Sequence, residues 1–406
     1  MTRSGPGFMQ YDSQYPLYGL SFSHSPSHPH RAALTTLHPG PSNKLLVVDT
    51  KPGEASDELH SIASVNLTFP ATKVAWEPAQ SVAGNAYTNG QTELLATTGD
   101  VLRIWDLGRD WKGDTSRGYV GRGGAGGGGG YETEQYVLNT RSVLTNSKSP
   151  QTSLPPITSF AWNPDKPESI VTCSIDTTAT LWDINTSQAI TQLIAHDRAV
   201  YDLAWLPQSP DIFVSVGADG SLRAFDLRQL EHSTILYESP GSNPLARIAF
   251  SNTEQHMLAC FGLDDSKTFI LDMRSPGQPV AELMGHSAPL GAISWGGGPP
   301  DSESGGGWIA SCGDDCQLLL YDLTGPLPAP RQEAKSQTAK SSSPANYAFS
   351  PPATPNDAQS PPPAKAAEIM PAKAWTADSE IVNLAFTDSG NQIGAISGSK
   401  LSILDI

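Results

Sequence analysis

The sequence predicts an all-β fold, a seven-bladed β-propeller whose ring is closed by an N-terminal strand in the last blade. Three observations predict it: a strand-turn-strand pattern that recurs along the chain, a composition suited to short strands, and a strand without a partner at each end. With 37 Gly and 34 Pro but only 16% charged residues, the 406-residue chain favours short strands joined by tight turns over long helices.

Seven segments of the chain end in an apolar run closed by an aspartate. These closing runs are residues 45–49, 103–106, 180–183, 223–226, 269–272, 319–322 and 402–405. A tight turn and a second apolar run precede the closing run, as in Ile170–Ser174 and Ile212–Val216, and a third run lies further upstream. Three alternating strands in each unit, with a fourth before the next unit, predict a four-stranded antiparallel blade.

Two intervals between closing aspartates are much longer than the about 40–45 residues of one propeller repeat. Each contains a low-complexity segment: residues 108–130 are Gly-rich, and residues 324–372 are rich in Pro, Ser and Ala. Such segments bury too little apolar surface to offset the entropy lost on ordering. We therefore predict a single propeller domain over residues 1–406 with two disordered insertions.

The last unit lacks a fourth strand, because the sequence stops at Ile406 directly after its third. Phe8–Tyr11 is an apolar segment that no blade uses, and it precedes the predicted inner strand Leu17–Phe22 of the first blade. Pairing this segment with the last blade removes two open sheet edges at once. The sequence therefore predicts ring closure between the two terminal segments.

Charge and cysteine content limit the classes of function. The chain has 25 basic and 41 acidic residues, a formal net charge of −16, so we expect no direct binding to the phosphates of nucleic acids. Four cysteines are too few for a disulfide-rich secreted scaffold, and residues 1–18 lack the apolar core of a signal peptide. No stretch has the length of a membrane span. We expect an intracellular monomer, in the cytoplasm, the nucleus or both, without a cofactor.

Three units repeat one polar pattern at the same spacing, in which a hydroxyl, a turn aspartate and an aromatic residue follow one another. The pattern comprises Thr172, Asp176 and Trp182 in the third unit, Ser215, Asp219 and Phe225 in the fourth, and Ser311, Asp315 and Tyr321 in the sixth. A histidine precedes the hydroxyl in the fourth and sixth units, His196 and His286, and the third has none at that place. A turn aspartate can orient a buried imidazole that engages the strand hydroxyl.

This spacing resembles the WD-repeat family, whose blades share a histidine–aspartate–hydroxyl–tryptophan hydrogen-bond network. The stretches 174–182 and 191–197 resemble one branch more closely, the scaffold group that includes the Transparent Testa Glabra and anthocyanin regulators and the DDB/cullin-associated factors. That resemblance implies an adaptor without a catalytic centre, which presents kinases, transcription regulators or ligase substrates to one another.

The same residues allow two other interpretations. A serine, a histidine and an aspartate in one blade could form a hydrolase triad, but the set repeats in several blades and no Gly-x-Ser-x-Gly motif occurs, which favours a structural network. Cys312 and Cys316 could begin a metal site, but no second pair of cysteines or histidines completes it, so we expect buried strand thiols. We predict neither a catalytic nor a metal-binding residue.

Five residues are candidates for protein binding. Arg228 and Arg274 stand two residues after a closing aspartate, where they resemble the arginine with which cullin–RING substrate receptors contact the ligase adaptor. A solvated arginine at a strand end is the alternative. Arg198, Tyr201 and Asp202, near the start of the fourth unit's inner strand, are candidates for a partner-binding face. The order of preference is a scaffold, then a cullin–RING substrate receptor, then a propeller enzyme.

Overall fold

The computed structural model describes residues 8–50, 58–78, 93–110, 135–145, 154–296, 307–325 and 366–406. Within these ranges the chain forms seven sheets, six with four strands and one with five. The sheets are blades of one ring, and the first strand of each lines a central channel. The predicted all-β, seven-bladed propeller is confirmed.

Each blade runs from the channel outwards in strands a, b, c and d. Blade 1 contains β2 (Leu17–Phe22), β3 (Ala32–Thr36), β4 (Asn43–Thr50) and β5 (Leu59–Leu67), and blade 2 contains β6 (Lys73–Trp76), β7 (Glu93–Thr98), β8 (Leu102–Asp110) and β9 (Gln135–Leu144). Blade 3 contains β10 (Ile157–Trp162), β11 (Ser169–Ser174), β12 (Thr178–Asp183) and β13 (Gln188–Ile194), and blade 4 contains β14 (Val200–Trp205), β15 (Ile212–Gly217), β16 (Ser221–Asp226) and β17 (Ser233–Glu238). A short 3₁₀ turn, Pro240–Ser242, leads to the next blade.

The remaining blades follow the same plan. Blade 5 contains β18 (Leu245–Phe250), β19 (Met257–Gly262), β20 (Thr268–Asp272) and β21 (Ala281–Leu283), with the additional strand β25 (Ala367–Ile369) outside β21. Blade 6 contains β22 (Leu290–Trp295), β23 (Trp308–Gly313), β24 (Gln317–Asp322) and β26 (Lys373–Thr376). Blade 7 contains β27 (Ile381–Phe386), β28 (Gln392–Ser397), β29 (Lys400–Asp405) and β1 (Phe8–Asp12).

The ring closes in blade 7, as the sequence predicts. β1 pairs antiparallel with β29, from Phe8 opposite Leu404 to Asp12 opposite Lys400. Met9 is buried against the apolar residues of blades 7 and 1. Strand β1 therefore supplies the outer strand that the C-terminal segment lacks.

The hydrophobic core lies between the blades rather than inside any one of them. A separate apolar cluster fills the junction of each adjacent pair, for example Phe160 and Trp182 between blades 2 and 3. Strand b has neighbours on both faces, so all six residues of β11 are buried, whereas most of the outer strand β13 is exposed. The continuous apolar runs of the sequence are thus the b and c strands of the ring.

The antiparallel order gives the ring two distinct faces. The top face carries the d-to-a connections and the b–c turns, and the bottom face carries the a–b and c–d turns. In most blades the inner strand has a β-bulge after its first residue, for example between Val200 and Asp202 in β14. A bulge re-aims the following side chain, and in β14 this places Asp202 in the channel.

Most of the two predicted insertions lies outside the described residues, but two of their edges are strand. Residues 108–110 continue β8 opposite residues 135–137 of β9. Ala367–Ile369 forms β25, which lies parallel to β21 on blade 5 before the chain completes blade 6 with β26. The prediction of disorder over the whole of 108–130 and 324–372 is therefore wrong for residues 108–110 and 367–369. Backbone pairing with a neighbouring strand orders these residues.

Candidate functional site

His196 joins the top-face turn of blade 4 to its second strand. Its Nδ1 lies 2.9 Å from Asp219 Oδ1, and its Nε2 lies 2.7 Å from Ser215 Oγ. The ring is almost completely buried, and this desolvation lowers the pKa of His196 although the charge of Asp219 opposes the shift. The neutral ring donates from Nδ1 to the carboxylate and accepts the Ser215 hydroxyl proton at Nε2.

His286 makes the same bridge in blade 6. Its Nδ1 lies 2.9 Å from Asp315 Oδ2, and its Nε2 lies 2.8 Å from Ser311 Oγ. The closing aromatic of this blade is Tyr321, whose hydroxyl donates to the Met284 carbonyl at 3.0 Å. Burial raises the pKa of Tyr321 to about 12.

Blade 3 contains the same pattern without a histidine. Trp182 Nε1 donates to Thr172 Oγ1 at 2.8 Å, and both side chains are buried. Asp176 accepts the amide of Thr178 at 3.1 Å and the hydroxyl of Thr178 at 2.7 Å. The turn aspartate is therefore in place, while its usual imidazole partner is missing from the described part of this blade.

Blade 2 contains a version of the network that sequence spacing does not reveal. Trp105 Nε1 donates to Thr97 Oγ1 at 2.8 Å, and Arg103 Nη2 donates to Asp100 at 2.8 Å. Its b–c turn has the same length as those of blades 3, 4 and 6, but Thr97 and Trp105 each stand one residue nearer to it. The hydroxyl, aspartate and tryptophan are therefore closer together in the sequence. A pattern that allows the hydroxyl and the aromatic residue to stand one residue nearer to the turn would include this set.

The serine–histidine–aspartate sets are poorly placed for catalysis. Ser215 and His196 are both buried, and Ser215 Oγ is already bonded to the ring. A hydrolytic serine must reach a bound substrate carbonyl. The geometry instead satisfies buried polar groups between strand b and the top-face turn, which is a structural role.

Arg228 and Arg274 lie on the bottom face, directly after the c strands of blades 4 and 5. Each bonds its own closing aspartate: Arg228 Nη2 lies 2.6 Å from Asp226, and Arg274 Nη2 lies 2.9 Å from Asp272. The hydrogen bonds from Arg228 lower the pKa of Asp226 to about 2. Both arginine side chains stay about two-thirds exposed, 65% and 60%, so their outer edges face solvent.

The candidates near blade 4's inner strand do not form one surface. Arg198 is exposed in the top-face connection before β14, and Tyr201 is half-buried. Asp202 is only 3% exposed and lies in the central channel, which corrects the expectation of a partner-binding carboxylate on the face. The β-bulge after Val200 turns it inwards.

The channel holds a polar cluster that sequence reasoning missed. Asp202 accepts the Ser159 hydroxyl, the Ile248 amide at 3.1 Å and the Lys73 ammonium at 3.2 Å. Burial alone would raise the pKa of Asp202, but the positive charges of Lys73 and Arg247 and these donors hold it below its ordinary value. Aligning the third residues of the inner strands would have brought Ser159, Asp202 and Arg247 together.

The cysteines do not form a metal site within the residues that the structure describes, where no group of three or more His, Cys, Asp or Glu side chains could hold an ion. Cys312 is a buried strand thiol, and its burial raises its pKa. Cys316 is only partly buried and lies in the b–c turn with φ 62°. The expectation of a buried strand thiol is therefore wrong for Cys316, because the turn exposes it.

In the described ranges, no helix has the length and apolar character that crossing a membrane requires.

Comparison with known proteins identifies the repeats. The family described as WD domain, G-beta repeat matches residues 148–183, 187–226 and 277–322. The chain is 37% identical to the DDB1- and CUL4-associated factor 7 homolog of Dictyostelium discoideum, over 80% of this chain and 86% of that protein. It is 32% identical to an uncharacterized WD repeat-containing protein of Schizosaccharomyces pombe, over 92% of this chain and 84% of the relative.

A WD repeat-containing protein of Saccharomyces cerevisiae is also 32% identical, over 80% of this chain and 59% of its own length. Two of these relatives align with most of their own length, and three of the seven blades match the repeat family directly. The strand order of the ring and the buried His196 and His286 bridges agree with those matches. The chain therefore belongs to the WD-repeat family.

Proposed function

We propose that this propeller is a non-catalytic scaffold that assembles kinases, transcription regulators or both. The observation that carries the proposal is that the residues resembling a catalytic set are buried, whereas the candidate binding arginines are exposed. The histidine–hydroxyl–aspartate sets are buried within blades, whereas Arg198 on the top face and Arg228 and Arg274 on the bottom face are exposed. A rigid ring with arginines on both faces suits the binding of more than one protein at a time.

The kinase and regulator partners follow from the resemblance to the Transparent Testa Glabra and anthocyanin-regulator group. The acidic net charge of −16 disfavours a direct role at DNA, so action on transcription would pass through a bound regulator. We place the protein inside the cell, in the cytoplasm, the nucleus or both.

A second function, as a substrate receptor of a cullin–RING ubiquitin ligase, is favoured by the two bottom-face arginines. A relative that aligns over most of its length is named for association with DDB1 and CUL4. Arg228 and Arg274 lie in equivalent turns of neighbouring blades, and each is held by its own aspartate with its outer edge in solvent. A ligase adaptor on these blades would contact both guanidinium groups.

Affinity purification of the tagged full-length chain, followed by mass spectrometry, tests both functions. The scaffold proposal expects kinases or transcription regulators at near-stoichiometric levels, and a purification that recovers neither contradicts it. In the ligase proposal, an adaptor co-purifies with the wild type and is lost in Arg228→Glu and Arg274→Glu. The matched control is Lys166→Glu, an exposed residue of a bottom-face turn in blade 3. Adaptor binding that survives both arginine changes would refute the ligase proposal.

A further inference from the structure

The hydroxyl residues of the polar pattern, Thr172, Ser215 and Ser311, occupy equivalent positions in blades 3, 4 and 6. The hydroxyl residue of strand b stands at the same register against strand c in each blade. The pairs are Thr172 with Thr180, Ser215 with Arg223, and Ser311 with Leu319. The strand hydroxyls of the three blades therefore have equivalent positions relative to their b–c turns.

The three b–c turns also share one conformation. The residue after the turn aspartate has a left-handed φ in each case: 74° at Thr177, 77° at Gly220 and 62° at Cys316. The next backbone amide donates to the aspartate Oδ1 at 3.1, 3.0 and 3.1 Å in blades 3, 4 and 6. The carboxylate of Asp176 therefore has the orientation of the two carboxylates that bind histidines.

An imidazole fills this position in blades 4 and 6 but not in blade 3. His196 and His286 each bridge the turn carboxylate and the strand hydroxyl of their blade. Among the described residues, the Asp176 carboxylate has only Thr178 as a hydrogen-bond partner. Blade 3 thus repeats the binding geometry without the group that it binds elsewhere.

A cavity lies at this position, between blades 2 and 3. It encloses about 530 Å³, including space open to solvent. Its polar wall contains Asp176 and Thr172, and its apolar wall contains Leu144, Leu154 and Ile157. Carboxylate, hydroxyl and aliphatic surface together suit a small, flat ring with a polar edge.

We propose that this blade 3 pocket binds a histidine side chain of a partner protein. Thr172 Oγ1 already accepts the Trp182 indole N–H, and its bond to the Thr180 carbonyl is long at 3.4 Å. A ligand therefore meets a carboxylate acceptor at Asp176 and a hydroxyl donor at Thr172. Neutral imidazole has one donor and one acceptor on its two nitrogens, whereas ammonium and guanidinium groups have no acceptor.

The chain itself does not supply this imidazole. His196 stands four residues before Val200, the first residue of its inner strand, and His286 stands four before Leu290. The residue four before Ile157 in the sequence is Ser153, and the sequence from 146 to 153 contains no histidine. An imidazole in this pocket would have to come from another molecule, and the identity of that molecule as a protein partner rests on the proposed scaffold function.

Titration of the full-length chain with 4-methylimidazole, a histidine side-chain analogue, tests the pocket directly. The ¹⁵N-labelled indole signal of Trp182, assigned from its loss in Trp182→Phe, is expected to shift saturably. Asp176→Ala and Thr172→Val should each weaken binding at least tenfold. The control Asp183→Ala changes the last residue of β12, at the end far from the Asp176 turn, and should leave binding unchanged. No saturable shift in the wild type would overturn the site, and equal shifts with butylamine or methylguanidine would overturn its selectivity for imidazole.

Selection of random peptides on the wild type tests the partner's chemistry. Histidine should be enriched at one position, and this enrichment should disappear on Asp176→Ala. Enrichment of lysine or arginine instead, or of no residue, would contradict a histidine-bearing partner. Because the 4-methylimidazole titration needs no partner, its failure and a failure of the scaffold proposal can be told apart.

Discussion

Arg31, immediately before strand β3, donates from Nε to Asp49 of β4 at 2.9 Å, and both side chains are almost completely buried. The same guanidinium reaches Glu93 of β7, so one cation links blades 1 and 2. Burial would raise the pKa of Asp49, but His28 and Arg31 hold it below its ordinary value. The first blade junction therefore depends on a buried ion pair as well as on apolar packing.

Replacing Arg31 by methionine should lower the free energy of unfolding by about 3–5 kcal/mol, because it leaves a buried carboxylate without its cation. Urea unfolding measures the loss. The control is Arg103→Met, which removes the more exposed pair with Asp100 and should cost about 1 kcal/mol or less. Similar small losses in both variants would argue against the buried pair.

The buried ring of His196 should make stability depend on pH. The unfolded chain binds this proton with an ordinary pKa of about 6.5, whereas burial lowers the pKa in the folded chain. The contribution of the neutral His196 ring to the free energy of unfolding is therefore complete above about pH 6.5. It is lost as the pH falls towards the lower pKa of the folded chain. Urea midpoints at pH 8 and pH 5 should differ less in His196→Gln than in the wild type. The exposed His232→Gln should keep the wild-type difference; equal differences in all three proteins would contradict the prediction.

Removal of residues 1–14 should sharply lower the melting temperature, because it deletes β1 and opens the edge of β29. Removal of residues 1–7, which leaves β1 intact, is the matched control. The point variant Met9→Ala should cost about 2–5 kcal/mol, as expected for a buried side chain truncated in a core. An unchanged melting temperature after the longer deletion would disprove closure by β1.

The bond from Trp182 to Thr172 should be measurable by a double-mutant cycle. Thr172→Val leaves a buried indole N–H without its acceptor and should cost about 1–3 kcal/mol. Trp182→Phe in the Thr172→Val background should cost less than in the wild type, with a coupling of about 1 kcal/mol. The equivalent cycle at Trp105 and Thr97 should give a similar coupling. Strict additivity at both sites would argue against these bonds.

The sequence was sufficient where a local pattern repeats at constant spacing. His196 and His286 could be assigned to their aspartates because each blade places the same residue types at the same intervals, and the structure confirms both bridges. Closure by β1 was predictable for a different reason, since a propeller with one missing strand leaves two unsatisfied edges.

Other features depend on contacts that a repeat pattern does not encode. Thr97 and Trp105 were not predicted because each stands one residue nearer to the b–c turn than its counterpart in blades 3, 4 and 6, which changes their spacing from the aspartate. Strand β25 lies in a segment whose composition predicts disorder, and it is ordered by the open edge of β21, a partner distant in sequence. The inward turn of Asp202 depends on a β-bulge, which reverses the face that simple alternation would assign.

The pairing of β1 with β29 also has a consequence for synthesis of the protein. Phe8–Asp12 leaves the ribosome long before the edge that receives it, Lys400–Asp405, because nearly 400 residues separate the two strands. Contacts this distant in sequence are slow to form, and the intermediates that precede them expose strand edges prone to aggregation. A product truncated before β29 would keep two open strand edges, those of β1 and β28.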